Sequence, residues 1–402
     1  MILKSIKSRR RRERLKYNNA SEVLLRDVFD GNGAVKSIPQ PSVPENIQVT
    51  KTFLPPLEEY ISCLKEIWES GWVTNYGPLF LNLEEKLKDT LGVKHLMMVN
   101  NGTMALQVAI KALDLKGEII TTPFSYVATT SSIVWEGCTP VFVDIDPDTW
   151  CINPELIEDS ITPETSAILA THVYGNPCNV KRIEEIASKH NLKVIYDAAH
   201  GFGVKQNGTS VLNHGDISTL SFHGTKLFHT IEGGAIITDS DELARKITYM
   251  INFGHDGPER FSGLGINCKN SEFHAAMGLC VLPRVNELIE RRKEISRLYD
   301  TLLGGFGLER PVISEDVIYN YAYYPVSFPS EHSMLKVRDA LNEKQIFPRR
   351  YFFPSLNKLP YTSGQRAKVA EDISSRVLCL PLYFELDDAS VRYIAHIMKR
   401  NL

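Results

Sequence analysis

Lys226 closes the stretch Ser221-Phe222-His223-Gly224-Thr225-Lys226, ahead of the turn Glu232-Gly233-Gly234 and the apolar run Ala235-Ile236-Ile237. Surface solvation alone explains poorly a lysine set between two strand-like runs and beside glycines. Asp197 lies 29 residues upstream, at the end of another apolar run, Val194-Ile195-Tyr196-Asp197-Ala198-Ala199-His200. An amine able to form a Schiff base and a carboxylate able to pair a pyridinium nitrogen are what pyridoxal phosphate chemistry asks of a protein. Burial and a neighbouring cation would help Lys226 lose its proton and act as nucleophile, then as general base and acid.

Further residues fit the same chemistry. Asn100-Asn101-Gly102-Thr103 ends one strand-like run and opens a helix. There Gly102 and Thr103 can offer amides and a hydroxyl to a phosphate, although Asn-Gly-Thr also reads as an ordinary turn with an N-cap. In Pro123-Phe124-Ser125-Tyr126-Val127-Ala128-Thr129, the aromatic ring of Tyr126 can stack on a flat cofactor or sit in the core. His200 reads as a residue beside the ring oxygen or as a core histidine. Ser221 offers a hydroxyl to a phosphate or simply ends a strand.

The elements that must position these groups follow from periodicity. Apolar runs at 95–99, 118–122, 140–144, 167–173, 193–197, 217–222 and 234–238 predict seven strands. Helix-like stretches separate most of them, at 103–114, 125–136, 154–160 and 180–190, with another at 241–251 after the last strand. Two amphipathic helices precede them, at 57–70 and 79–91. Strands apolar on both faces and alternating with helices predict an α/β domain with a mostly parallel seven-stranded sheet. After Pro283 the pattern changes to a long charged helix at 284–303, strands at 322–328 and 377–382, and helices at 334–343 and 387–398. The expected organisation is a basic, flexible arm over 1–48, a large domain over 49–283 and a smaller α+β domain over 284–402.

The 402-residue chain carries 43% hydrophobic and 23% charged residues with a net charge of −3, an ordinary globular balance with no overall bias toward nucleic acid or membrane. No apolar run approaches the roughly 20 residues that span a bilayer. The opening Met1-Ile2-Leu3-Lys4 leads into arginines, unlike a secretory signal. Seven scattered cysteines without a C-x-x-C pair argue against a disulfide framework and a zinc site, so no metal is expected and a cytoplasmic setting is. The first 16 residues hold eight Lys or Arg. That run permits nucleic-acid binding, but without a second basic block or stacking aromatics beyond Tyr17 the expectation is none.

Taken in order, Asn101-Gly102-Thr103-Met104-Ala105-Leu106, the Pro123–Thr129 segment, Pro140-Val141-Phe142-Val143-Asp144-Ile145, Tyr196-Asp197-Ala198-Ala199-His200, Ser221–Lys226 with Glu232-Gly233-Gly234, and residues 265–278 resemble the DegT/DnrJ/EryC1/StrS nucleotide-sugar aminotransferases. The resemblance spans about residues 49–398 and implies a fold-type I pyridoxal 5'-phosphate enzyme. It implies Lys226 as the lysine that attaches the cofactor and Asp197 as partner of the pyridine nitrogen. Gly102, Thr103 and Ser221 would meet the phosphate, Tyr126 the ring face, and His200 the ring edge. Asn267 matches a position that reaches the phosphate from a second subunit, which implies a homodimer with shared active sites. Lys269 stands where many members have arginine, a point charge in place of a fork.

Within the family, the strings at 52–60, 72–78 and 225–234 look most like the branch that aminates C4 of dTDP-4-dehydro-6-deoxy-D-glucose, usually from L-glutamate. Amination at C3 or of another nucleotide ketosugar is the nearest alternative. Relatives that dehydrate carry histidine in place of the lysine. A non-catalytic sensor would be expected to lack Lys226 or Asp197, and both are present. Two aromatic, turn-rich segments are the expected substrate walls: the loop 72–78 with Trp72, Thr74 and Asn75, and 349–354 with Tyr351.

Overall fold

The computed structural model describes residues 46–362 and 364–402. The arm expected over 1–48 therefore lies outside the described residues except for its end. There Ile47 and Gln48 form a short strand that pairs in parallel with Ile346–Phe347.

Seven strands make the central sheet: β1 (His95–Val99), β2 (Glu118–Thr121), β3 (Thr139–Phe142), β4 (Thr165–Thr171), β5 (Lys193–Asp197), β6 (Ile217–Ser221) and β7 (Gly234–Thr238). Their order across the sheet is β1-β7-β6-β5-β4-β2-β3, and β7 alone runs antiparallel to both of its neighbours. Parallel neighbours need a crossover, usually a helix, whereas antiparallel ones do not. The segment between β6 and β7 holds no helix, so the chain turns back, and Lys226 sits on that return.

The helices are α1 (Leu57–Ser70), α2 (Pro78–Leu91), α3 (Gly102–Ala112), α4 (Val127–Trp135), α5 (Val180–His190), α6 (Asp241–Met250), α7 (Glu272–Val281), α8 (Val285–Leu303), α9 (Glu331–Asn342), α10 (Lys368–Arg376) and α11 (Asp388–Asn401). Strand side chains alternate between the two faces of the sheet. Met97, Val99, Ile119, Leu169, Ile195, Ile217 and Ile236 pack with α3, α4 and α6 on one face. Leu96, Met98, Leu220, Ala235 and Ile237 pack with α2 and α7 on the other, where Ile168, Val194 and Tyr196 meet α5. A second, antiparallel pair of strands, Tyr324–Ser327 with Val377–Leu380, carries the C-terminal segments that close over the sheet's end.

Three expectations change. The helix expected at 154–160 is two short 3₁₀ turns, Pro154–Leu156 and Glu158–Ser160, since Pro163 disfavours helical backbone at Thr162 and leaves too few residues for a stable α-helix. The helix expected from 125 starts at Val127, which leaves Ser125 and Tyr126 in the loop before it. Helix α7 had no counterpart in the periodicity reading because it is apolar nearly all round and buried, which erases the amphipathic signal.

Candidate active site

The C-terminal ends of β1, β2, β5 and β6 open on one cavity of about 600 Å³, lined by Gly102, Thr103, Ser125, Tyr126, Asp197, His200, Ser221, Lys226, Tyr323, Tyr351 and Phe352 among others. Strand ends are where ligands bind in such sheets, at the point where the strand order reverses. Here the chain leaves β1 at one edge and returns as β2 on the far side of β4. A smaller cavity of about 280 Å³ lies near His214 and Asp216, away from this chemistry.

One end of the cavity is built by α3. The Asn101 side chain accepts from the Met104 amide at 2.8 Å and starts the helix. The amides of Gly102 and Thr103 come before the first internal helical bond, so they face outward with the positive end of the helix dipole. Gly102 is needed by contact: a Cβ there would lie 2.9 Å from the Ser221 Cβ and 3.3 Å from its Oγ. Backbone of α3 and the end of β6 thus meet with no room for a side chain, and the Ser221 hydroxyl joins the amides. Gly102→Ala is expected to push α3 away and weaken pyridoxal phosphate binding about tenfold, because placement errors of this size are costly. Absorbance titration of the cofactor-free protein checks it.

Lys226 reaches the cavity from the β6–β7 return. Its stem keeps some exposure, which is exposure to the cavity, while protein atoms enclose the amine. The amine donates to the Tyr323 hydroxyl at 3.3 Å. Burial lowers its pKa from 10.5 to about 8, against the opposing pull of Asp197 and Tyr126. The lysine is therefore charged below that value and becomes a free nucleophile above it. The rate at which the cofactor-free protein takes up pyridoxal phosphate covalently should rise with pH through about 8 and level off above, a profile that stopped-flow absorbance measures. A rate flat across that range would contradict the assignment.

Asp197 is buried at the end of β5. Burial raises its pKa, while the Thr129 hydroxyl at 2.7 Å, the Ala199 amide at 3.1 Å and the charge of Lys226 pull it back. His200 is also buried, and its Nδ1 accepts from the Tyr174 amide at 3.2 Å. Burial, then repulsion from Lys226, lowers its pKa well below the ordinary 6.5. The ring is thus neutral with its proton on Nε2, a fixed donor.

The C-terminal segments complete the cavity. Tyr323 is buried, with its ring edge-on to His200 at 4.9 Å, and Phe352 stacks on His200 at 5.7 Å. The Tyr174 hydroxyl donates to the Tyr351 carbonyl and pins that loop. A second cavity of about 530 Å³ shares Ser125, Tyr126, Tyr351 and Phe352 and adds Arg338, Arg349 and Arg350. The two form one cleft, at whose mouth Arg338 pairs with Asp339 and Arg350 with Glu331, each at 2.7 Å, beside Arg349.

Of the residues singled out from sequence, Gly102, Thr103, Tyr126, Asp197, His200, Ser221, Lys226 and Tyr351 share this cleft. Asn267 does not; it is exposed in the loop before α7. Trp72, Thr74 and Asn75 are exposed too and do not line it. Their loop is held elsewhere by Glu272, whose amide donates to the Val73 carbonyl at 3.0 Å and whose carboxylate caps α2 through the Leu79 and Phe80 amides at 2.9 and 2.8 Å. Tyr323, Phe352 and Thr129 were not singled out by sequence reasoning. For Thr129 a signal existed: it follows Ser125 by one helical turn in a segment already noted.

The buried carboxylate, the enclosed amine, and the outward amides beside Ser221 and Gly102 fit pyridoxal phosphate's ring nitrogen, aldehyde and phosphate. The sequence model of the DegT/DnrJ/EryC1/StrS aminotransferase family matches residues 57–399. The chain is 44% identical over 360 residues to the dTDP-4-amino-4,6-dideoxy-D-glucose transaminase of Shigella dysenteriae, covering 88% of this chain and 98% of that protein. Against the protein of the same name from Escherichia coli it is 39% identical over 364 residues, with the same coverage of 88% and 98%. A crystal structure of DesI in the presence of its TDP-sugar product matches with a TM-score of 0.84 and 32% identity, covering 89% of this chain and 93% of that one.

Proposed function

Because this chain belongs to the DegT/DnrJ/EryC1/StrS aminotransferase family, we propose that it moves an amino group from L-glutamate to C4 of a nucleotide-linked 4-keto-6-deoxyhexose, turning dTDP-4-dehydro-6-deoxy-D-glucose into dTDP-4-amino-4,6-dideoxy-D-glucose. The near full-length likeness to two transaminases of that name carries the choice of sugar and carbon. Pyridoxal 5'-phosphate, when bound, supplies an aldehyde to take up the amine and a ring to hold the electron pair released at the substrate carbon.

The chain's residues then divide the work. Lys226 Nζ attaches the cofactor. As a free amine it would carry a proton to and from the substrate carbon, with the nearby Tyr323 hydroxyl as a hydrogen-bond acceptor for its protonated form. Asp197 would face the ring nitrogen, neutral His200 would offer its Nε2 proton at the ring edge, and Tyr126 would cover the ring. Gly102, Thr103 and Ser221 hold the phosphate. Arg349 at the mouth of the cleft, next to an Arg350 held by Glu331 and the Phe353 ring, offers positive charge to the diphosphate of a nucleotide sugar.

The working form is a homodimer in which Asn267 reaches the phosphate of the other subunit; its exposure outside its own chain's cleft supports this. Lys269 does not take a free arginine's place, since its amine donates to Asn252 Oδ1 at 2.8 Å and lies 4.9 Å from the Phe253 ring centre. The setting is cytoplasmic and the product serves surface polysaccharide synthesis. Among the described residues no helix is long and apolar enough to cross a membrane.

A half-reaction screen tests the proposal. Protein loaded with the aminated cofactor should regain the absorbance of the lysine-bound form on mixing with dTDP-4-dehydro-6-deoxy-D-glucose, and NMR should show the new amine on C4. Reversion with a 3-keto sugar alone would move the reaction to C3. Failure of L-glutamate to generate the aminated form would overturn the donor.

A further inference from the structure

Behind Asp197 lies a row of buried hydroxyls that the reaction scheme does not use. Thr129 Oγ1 lies 2.7 Å from Asp197 Oδ2, Ser125 Oγ lies 2.7 Å from Thr129 Oγ1, and Thr171 Oγ1 donates to Ser125 Oγ at 3.2 Å. All four residues are buried. They come from three places: Thr129 from the first turn of α4, Ser125 from the loop before it, and Thr171 from the end of β4.

Each hydroxyl has one proton to donate. With Asp197 ionised, Thr129 donates to the carboxylate, Ser125 to Thr129 and Thr171 to Ser125, and every proton is used. With Asp197 protonated on that oxygen, the row must reverse. Thr171 would then receive from Ser125, and among the described residues its own hydroxyl has no second partner. A buried donor left unmade is costly. The row therefore accommodates one charge state of Asp197 better than the other.

We propose that Thr129 and Ser125, with Thr171 fixing the direction, are positioning residues that keep Asp197 ionised by a one-way hydroxyl relay. The inference rests on the reading of Asp197 as partner of the cofactor's ring nitrogen, for which an ionised carboxylate is the useful form. The other titratable groups facing Asp197 are Lys226 from the β6–β7 return, His200 from its own loop and Cys178 from the segment after β4. Lys226 acts in the same direction as the relay, while burial opposes both. Hydrogen bonds in a row polarise one another, so the effect should fade with distance from the carboxylate.

The test titrates the Asp197 carboxylic acid by its infrared C=O band in full-length, cofactor-free protein, isolated by subtracting the spectrum of Asp197→Asn. Thr129→Val should raise the proton affinity of Asp197 about tenfold. Ser125→Ala should raise it about threefold and Thr171→Val least. Thr129→Ser, which keeps the hydroxyl, should titrate like the unaltered protein. Midpoints unmoved in Thr129→Val, or in Ser125→Ala should the valine variant not fold, would overturn the relay. So would a serine variant that titrates like the valine one. If the midpoints move as stated but Thr129→Val binds pyridoxal phosphate as tightly as the unaltered protein, the relay holds and the role given to Asp197 fails instead.

Discussion

Lys226→Ala is expected to lower turnover by about four orders of magnitude or more, because in the proposed reaction one group supplies both the covalent attachment and the proton transfer. The purified variant should lack the absorbance of a lysine-bound cofactor. Borohydride reduction followed by peptide mapping should label position 226 in the unaltered protein and nothing in the variant. The structure explains why no neighbour can substitute. Among the residues lining the cavity Lys226 is the one amine, and burial brings its pKa to about 8 while its hydrogen bond to Tyr323 holds it in place. A label on another lysine, or full activity in the alanine variant, would remove the basis of the proposed reaction.

For Asp197→Asn the expected loss of turnover is about 10²- to 10³-fold, the size found when one well-placed electrostatic contact to a reacting system is removed. The substitution keeps the shape and one acceptor oxygen for the Ala199 amide, while its new NH2 faces Thr129 and can donate to that hydroxyl, so folding should survive. What it removes is the negative charge. Cofactor affinity should fall as well, and the absorbance of the bound form should shift as the ring nitrogen loses its proton. Equilibrium titration and single-turnover kinetics, with circular dichroism as the folding control, separate these effects. Unchanged single-turnover rates would show that the ring nitrogen does not depend on this carboxylate. If Asp197 pairs the ring nitrogen as proposed, activity should fall at low pH, because burial raises its pKa and the ionised form is lost as pH drops through it.

Much of this molecule could be read from one-dimensional pattern. The strands at His95–Val99, Lys193–Asp197 and Gly234–Thr238 and the helices Leu57–Ser70 and Val180–His190 fall where apolar periodicity and caps put them. Such signals are local: a buried strand needs a short apolar run, and a surface helix needs one apolar stripe. Where that local signal was missing, the reading missed too. Helix Glu272–Val281 has no polar face, and the short strand at Ile47–Gln48 exists because Ile346–Phe347 lies beside it.

The same division holds within the site. Sequence by itself singled out Lys226 and Asp197 as a pair, and the family resemblance added His200, Ser221, Gly102, Thr103 and Tyr126, each of which also had an ordinary structural reading; the structure places all seven around one cavity. The order of the apolar runs implied that these residues share one end of a parallel sheet. Only the tertiary structure brought Tyr323 to the lysine across 97 residues and Thr129 to Asp197 across 68. Only it turned Phe352 onto His200 and drew the Trp72–Pro78 loop away through Glu272. Contacts of that range depend on where α4, β6 and the C-terminal segments pack. Packing responds to shape and volume summed over many residues, which no spacing along the chain records.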